Sequence, residues 1–167
     1  MLPITLTALL LVPFAVAVPL ERRQNGPDPA TRAGQLQQGI NANILAQMGE
    51  ATATDTIQLL QTPGGDNNFQ EFTVAKDNLM TFINAGIRIR ENNQKIAPVD
   101  SPAVQGLAVV GTAQTMERDM AERLTGDPAN DGPILTQLQA MFADGQRQNR
   151  RNSAAAGLIR EATPPPS

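Results

Sequence analysis

The chain has 167 residues and is mildly acidic, with 13 Lys and Arg against 16 Asp and Glu, and it contains no His, Cys, Trp or Tyr. Without His or Cys there is no catalytic triad of the usual kind, no thiolate nucleophile and no zinc site of nitrogen and sulfur ligands. Chemistry is left to carboxylates, the lysines Lys76 and Lys95, arginines and hydroxyls, while the negative balance argues against nucleic acid or an anionic membrane surface as partner.

Residues 1–17 read as a cleavable signal peptide. Leu2 to Val18 carries no charged side chain, the apolar stretch Leu9 to Phe14 is far short of the ~20 residues of a membrane span, and Ala15-Val16-Ala17 offers small residues for cleavage after Ala17. Glu21-Arg22-Arg23 follows in a polar, proline-flanked stretch. This dibasic pair is a candidate processing site; cleavage after Arg23 makes Gln24 the mature terminus and the mature formal charge −4. Residues 18–30 are expected to form a propeptide or disordered leader. Export makes the missing cysteines meaningful, because a small extracellular domain without disulfides relies on packing alone.

Residues 31–161 read as one helical domain. The first helix is expected over 31–61, with Leu36, Ile40, Ile44, Leu45, Met48, Ala53, Ile57 and Leu60 as its apolar stripe. Thr62-Pro63-Gly64-Gly65 ends it, and Asp66 or Asn67 caps a second helix whose stripe holds Phe69, Phe72, Leu79, Phe82, Ile83 and Ile87, stopping near Ile96. Ser101-Pro102 is a start signal for the third helix, which carries Leu107, Val110, Ala113, Met116, Met120 and Leu124. After Gly126-Asp127-Pro128, the triplet Asp131-Gly132-Pro133 is expected to launch the fourth, with Ile134, Leu135, Leu138, Met141 and Phe142 and an extension through Leu158. Residues 162–167 read as a proline-rich disordered tail. Four amphipathic helices with short connections predict an all-α, up-down-up-down four-helix bundle.

Gly39, Gly86, Gly106, Gly111 and Gly145 fall inside these helices at about 1 kcal/mol each relative to Ala. Close helix packing is the favoured explanation; room for an apolar ligand is the alternative.

Few constellations suggest chemistry. Glu117, Arg118, Asp119, Glu122 and Arg123 form the densest charged cluster, read as a solvated face with an Asp119–Arg123 ion pair. Glu117 with Glu71 or Asp77 from a neighbouring helix is the candidate acid–base or hard-cation pair. Asp127 to Gly132 is out of register for a calcium loop and reads as a loop with a helix cap. Arg88 and Arg90, near a helix C-terminus, are candidate contacts for an acidic partner. Arg150-Arg151 lies in a helical stretch and reads as solvated charge, and there is no N-x-[ST] sequon.

The signal peptide, the Arg22-Arg23 pair, the Ala/Gln/Asn-rich helical body and the Pro-rich end resemble the small secreted proteins of filamentous fungi, loosely the hydrophobic-surface-binding and cell-wall mannoprotein type. The resemblance implies an extracellular protein, free or wall-associated, and lends no functional residue. The expected function is non-catalytic binding at an apolar surface or on a protein partner, in the manner of an effector. A carrier of a lipid or other small apolar ligand is the second expectation, and a carboxylate-only enzyme the third. No cofactor, no metal and no stable membrane insertion of the mature chain are expected.

Overall fold

The computed structural model describes residues 28–62 and 69–162, with side chains as far as Leu158. The expected signal peptide with Ala17, the Arg22-Arg23 pair, the helix stop at 63–65, the Asp66 or Asn67 cap and residues 163–167 of the tail lie outside the described residues.

The described chain is all-α: α1 (Pro29–Leu60), α2 (Phe69–Ile96), α3 (Ala103–Glu122) and α4 (Pro128–Ala162). Local chemistry sets the ends. Asp28 caps α1, its Oδ1 accepting from the Thr31 N–H at 3.0 Å, with Pro29 at the first helical position where its missing N–H costs nothing. Ser101 accepts from the Ala103 N–H at 3.3 Å ahead of α3. Lys76 closes α3 from the neighbouring helix, donating to the Glu122 and Leu124 carbonyls at 2.8 and 2.6 Å.

The fourth helix departs from expectation. It begins at Pro128, because Asp127 caps it by accepting from the Ala129 N–H at 3.0 Å. Pro133 consequently lies inside the helix, in its second turn, where it forgoes only the bond to the Ala129 carbonyl.

The helices form a four-helix bundle in which α1 packs on α2 and α4, and α3 on α2 and α4, while the backbones of the diagonal pairs are not in contact. Neighbours are antiparallel. Gln61 at the end of α1 donates to Asp131 at the start of α4 at 2.7 Å, whereas Gln37 near its beginning reaches the Ser153 carbonyl at 3.3 Å. Likewise Lys76 meets the end of α3, and Arg90 bonds Gln114 in its middle.

The inward seam follows alternating steps of three and four residues, the spacing of left-handed bundle packing. On α1 it runs Leu36, Ile40, Asn43, Gln47, Glu50, Thr54, Ile57, all fully buried. On α3 it runs Ala103, Leu107, Val110, Gln114, Glu117, Ala121 and continues to Leu124 just past the helix, and on α4 Leu135, Leu138, Phe142, Gly145, Asn149, Asn152, Ala156. The two ends of the seam are apolar: Leu36, Ile40, Ala103, Leu107 and Ala156 form one cluster, and Ile57, Leu79, Ile83, Leu135, Leu138 and Phe142 the centre of the other. The middle is polar.

That polar middle corrects the expected stripes. Leu45 and Met48 are 67% and 51% exposed, because the buried face of α1 passes through Asn43, Gln47 and Glu50 instead. Phe82 on α2 and Met116 on α3 are exposed because each stands one position before a buried residue, Ile83 and Glu117, and Phe69 is exposed as the first residue of α2.

Candidate functional site

Between the apolar clusters lies a layer of buried amides and carboxyls supplied by every helix. Asn43, Gln47 and Glu50 come from α1, Asn93 from α2, Gln114 and Glu117 from α3, and Asn149 and Asn152 from α4, all at most 3% exposed. Taking such groups out of water is costly unless each finds a partner.

Many of the amides do. Arg90 Nε donates to Gln114 Oε1 at 3.2 Å, and Gln114 Nε2 donates to Asn43 Oδ1 at 3.3 Å. A second relay enters from the α4 surface: Arg151 donates to Gln148 Oε1, Gln148 to Asn152 Oδ1 at 2.8 Å, Asn152 to Asn149 Oδ1 at 3.4 Å, and Asn149 to Gln47 Oε1 at 3.1 Å. Both relays end in buried amide nitrogens, Asn43 Nδ2 and Gln47 Nε2, that hydrogen-bond to no protein group. All four carboxyl oxygens of Glu50 and Glu117 are in the same position.

The helix glycines make the room. A β-carbon on Gly106 would overlap Asn152 Oδ1, one on Gly39 would overlap Asn93 Oδ1, and one on Gly145 would overlap Gln47 Nε2. At Gly86 it would lie 3.0 Å from both Glu50 Oε1 and Gln114 Nε2 and 3.2 Å from Asn43 Oδ1. These glycines admit polar side chains to the interior, a purpose neither of the expected explanations contains.

Burial raises the Glu50 carboxyl to about 8, with the Glu117 charge adding to the effect, and burial raises Glu117 to about 7. Both acids are held partly neutral near pH 7. Glu117 is therefore no part of a solvated face. The Arg118 guanidinium pairs outward with Asp119 at 3.5 Å and Glu122 at 3.8 Å instead. Nor does Glu117 gather with Glu71 or Asp77, both exposed on α2; the acid on which its charge acts is the buried Glu50 of α1. Among the described residues no three His, Cys, Asp or Glu side chains cluster as metal ligands.

Asp131 contrasts with this pair. It is fully buried, yet its oxygens accept from Thr125 N at 2.9 Å, Thr125 Oγ1 at 3.1 Å, Gly126 N at 2.8 Å and Gln61 Nε2 at 2.7 Å. It organises the α3–α4 turn, where Gly126 has φ +90°, and is not a free ligand. Of the two candidate contact arginines, Arg88 is exposed, whereas Arg90 is committed to Gln114 and to Gln94 Oε1 at 2.9 Å.

On the outer surface an extended apolar groove runs between α1 and α2. Two adjoining hollows of about 460 and 510 Å³ share Thr56 and Asn78; Gly49, Ala53 and Leu60 line them from α1, and Val74, Ala75 and Phe82 from α2, with Gln70 and Glu71 at the α2 N-terminal end. Phe82 packs over Gly49, so the missing side chain there lets the helices approach and sets the groove floor. Leu45, Met48 and Leu59 lie exposed along the outward side of α1, and Val74 is 57% exposed on α2.

Among the described residues no helix is long and apolar enough to cross a membrane. No protein-family model, no curated protein and no solved structure matches this chain.

Proposed function

We propose that the protein is an exported, non-catalytic binding protein that engages an apolar surface through the α1–α2 groove. The observation that carries this reading is the coincidence of an open groove lined by Leu60, Val74 and Phe82 with exposed Leu45, Met48 and Leu59 beside it. An exposed apolar patch rimmed by polar residues, here Thr52, Thr56 and Asn78, is the kind of surface that soluble proteins use for contact. A carrier of an apolar ligand is the weaker reading, because the bundle axis is lined by amides and carboxyls and its ends are filled by Leu36, Ile40, Leu138 and Phe142.

Adsorption to octyl-derivatised beads tests it. The protein adsorbs with its helicity unchanged, and the double variant Leu45→Asp with Val74→Asp, confined to exposed positions, adsorbs about tenfold less or weaker still. Equal retention of wild type and variant, or no adsorption by either, refutes the reading.

A further inference from the structure

A second hollow lies on the side of the bundle opposite the groove, between α3 and α4. It has a volume of about 260 Å³ and is walled by Val109, Val110 and Ala113 of α3 and by Met141 of α4. Val109 is 54% exposed, so the apolar wall is open to solvent. The α4 edge of the hollow is charged, with Asp144, Arg147, Gln148 and Arg151 along it. Asp144 pairs with Arg147, whereas Arg151 pairs with no acid among the described residues, which leaves the edge with one uncompensated cation.

That cation is held in place from inside the fold. Arg151 Nε and Nη2 both donate to Gln148 Oε1, at 3.2 and 2.6 Å. Gln148 in turn donates to the buried Asn152 at 2.8 Å, and Gly106 makes room for it, since a β-carbon there would stand 2.7 Å from Gln148 Nε2. The dibasic pair thus divides into a solvated arginine, the exposed Arg150, and an anchored one. Gln148 occupies the Nε–Nη2 edge of the Arg151 guanidinium and leaves the Nη1–Nη2 edge, a fork that fits a carboxylate with two parallel hydrogen bonds. An anchored fork has less side-chain freedom to lose on binding than a free arginine. We propose that the α3–α4 hollow binds a small amphiphilic carboxylate, its head on the Arg151 fork and its apolar chain on Val109, Val110, Ala113 and Met141. The volume sets the size, because it lies just below the ~300–1,000 Å³ of pockets for drug-sized ligands and so admits a short acyl or aryl chain. An inorganic anion would leave the apolar wall bare, and a neutral hydrocarbon would leave the fork unpaired.

Titration of the full chain with sodium octanoate, followed by amide and methyl NMR, tests this. Octanoate at millimolar concentration gives saturable shifts at Val109, Val110, Ala113 and Met141, octanol binds there about tenfold more weakly, and octylammonium gives no saturable shift at these residues. Arg151→Gln, at an exposed position, leaves the helicity unchanged, weakens octanoate about tenfold and leaves octanol as it was. Arg151→Lys recovers only part of the loss, because an ammonium has no fork, and Arg150→Gln has no effect. Val109→Ser weakens octanoate and octanol alike. Equal affinity for octanoate and octanol, or octanoate binding that survives Arg151→Gln undiminished, makes the hollow a plain apolar contact and overturns the proposal. Shifts confined to the α1–α2 groove, or no saturable shift at all, overturn it too. So does co-sedimentation with phosphatidylglycerol vesicles that needs Arg151 while octanoate has no effect, since this assigns the arginine to a membrane surface. The hollow and the groove report on different residues, so failure here leaves the binding reading standing, and the reverse also holds.

Discussion

Glu50 of α1 lies against Gly86 of α2, its Oε1 3.0 Å from the place a β-carbon would occupy. The contact joins two local costs: a carboxyl removed from water, and a glycine in mid-helix at about 1 kcal/mol relative to Ala. Neither has a reason alone. Together they open space on the bundle axis for the polar layer, and the aliphatic clusters above and below supply the stability that tolerates it.

Stability should fall as pH rises. In the unfolded chain both acids ionise near 4.5, whereas in the fold Glu117 holds its proton to about 7 and Glu50 to about 8. Between these limits the folded state binds more protons than the unfolded one, so the slope is negative, about 1.4 kcal/mol per pH unit for each group. The stabilisation relative to the ionised state is complete below pH 4.5, and is lost through about 7 for Glu117 and about 8 for Glu50. Urea unfolding between pH 4.5 and 9 in chelator measures this. Glu50→Gln should roughly halve the decline, and a flat profile in the wild type would contradict the burial of the pair.

The glycines predict opposite signs for one substitution. Gly34 is in α1 with nothing within 4 Å of the place a β-carbon would occupy, so Gly34→Ala should stabilise by about 1 kcal/mol through helix propensity. Gly106→Ala would drive a methyl into Asn152 and Gln148, and should destabilise by about 1–3 kcal/mol despite the same propensity gain. Denaturant midpoints of the two variants separate packing from propensity. Two shifts of equal sign would mean that Asn152 is not held where its hydrogen bonds put it.

The bundle was legible from sequence because the proline and glycine breaks and the apolar residues at the seam's ends, Leu36, Ile40, Ile57, Leu135, Leu138 and Phe142, all fit helical spacing. The site was hidden by the same rule. Counting apolar residues drew the α1 stripe through Leu45 and Met48, whereas extending the three-four step from Leu36 and Ile40 leads to Asn43, Gln47, Glu50 and Thr54 and returns to Ile57. A register that stays in phase through polar residues was the signal to follow. The influence of Glu117 on Glu50 could not be read this way, since it depends on which helices lie diagonally opposite.

Asp131 supplies the last prediction, because it is the buried acid whose bonds are all accounted for. Its carboxylate ties the Thr125 and Gly126 N–H groups to the α4 start, and through Gln61 ties that turn to the end of α1. Asp131→Ala strands these donors in a buried corner and should cost about 3 kcal/mol or more. Asp131→Asn keeps the shape but replaces one acceptor oxygen by a donor, which then faces Thr125 or Gln61, and should recover only part of the loss. Thermal unfolding of the two variants ranks them. Amide exchange at Thr125 and Gly126 should quicken in both, since those N–H groups lose a charged acceptor, while the amides of Leu36 and Ile40 at the far end of the bundle keep their protection relative to global unfolding.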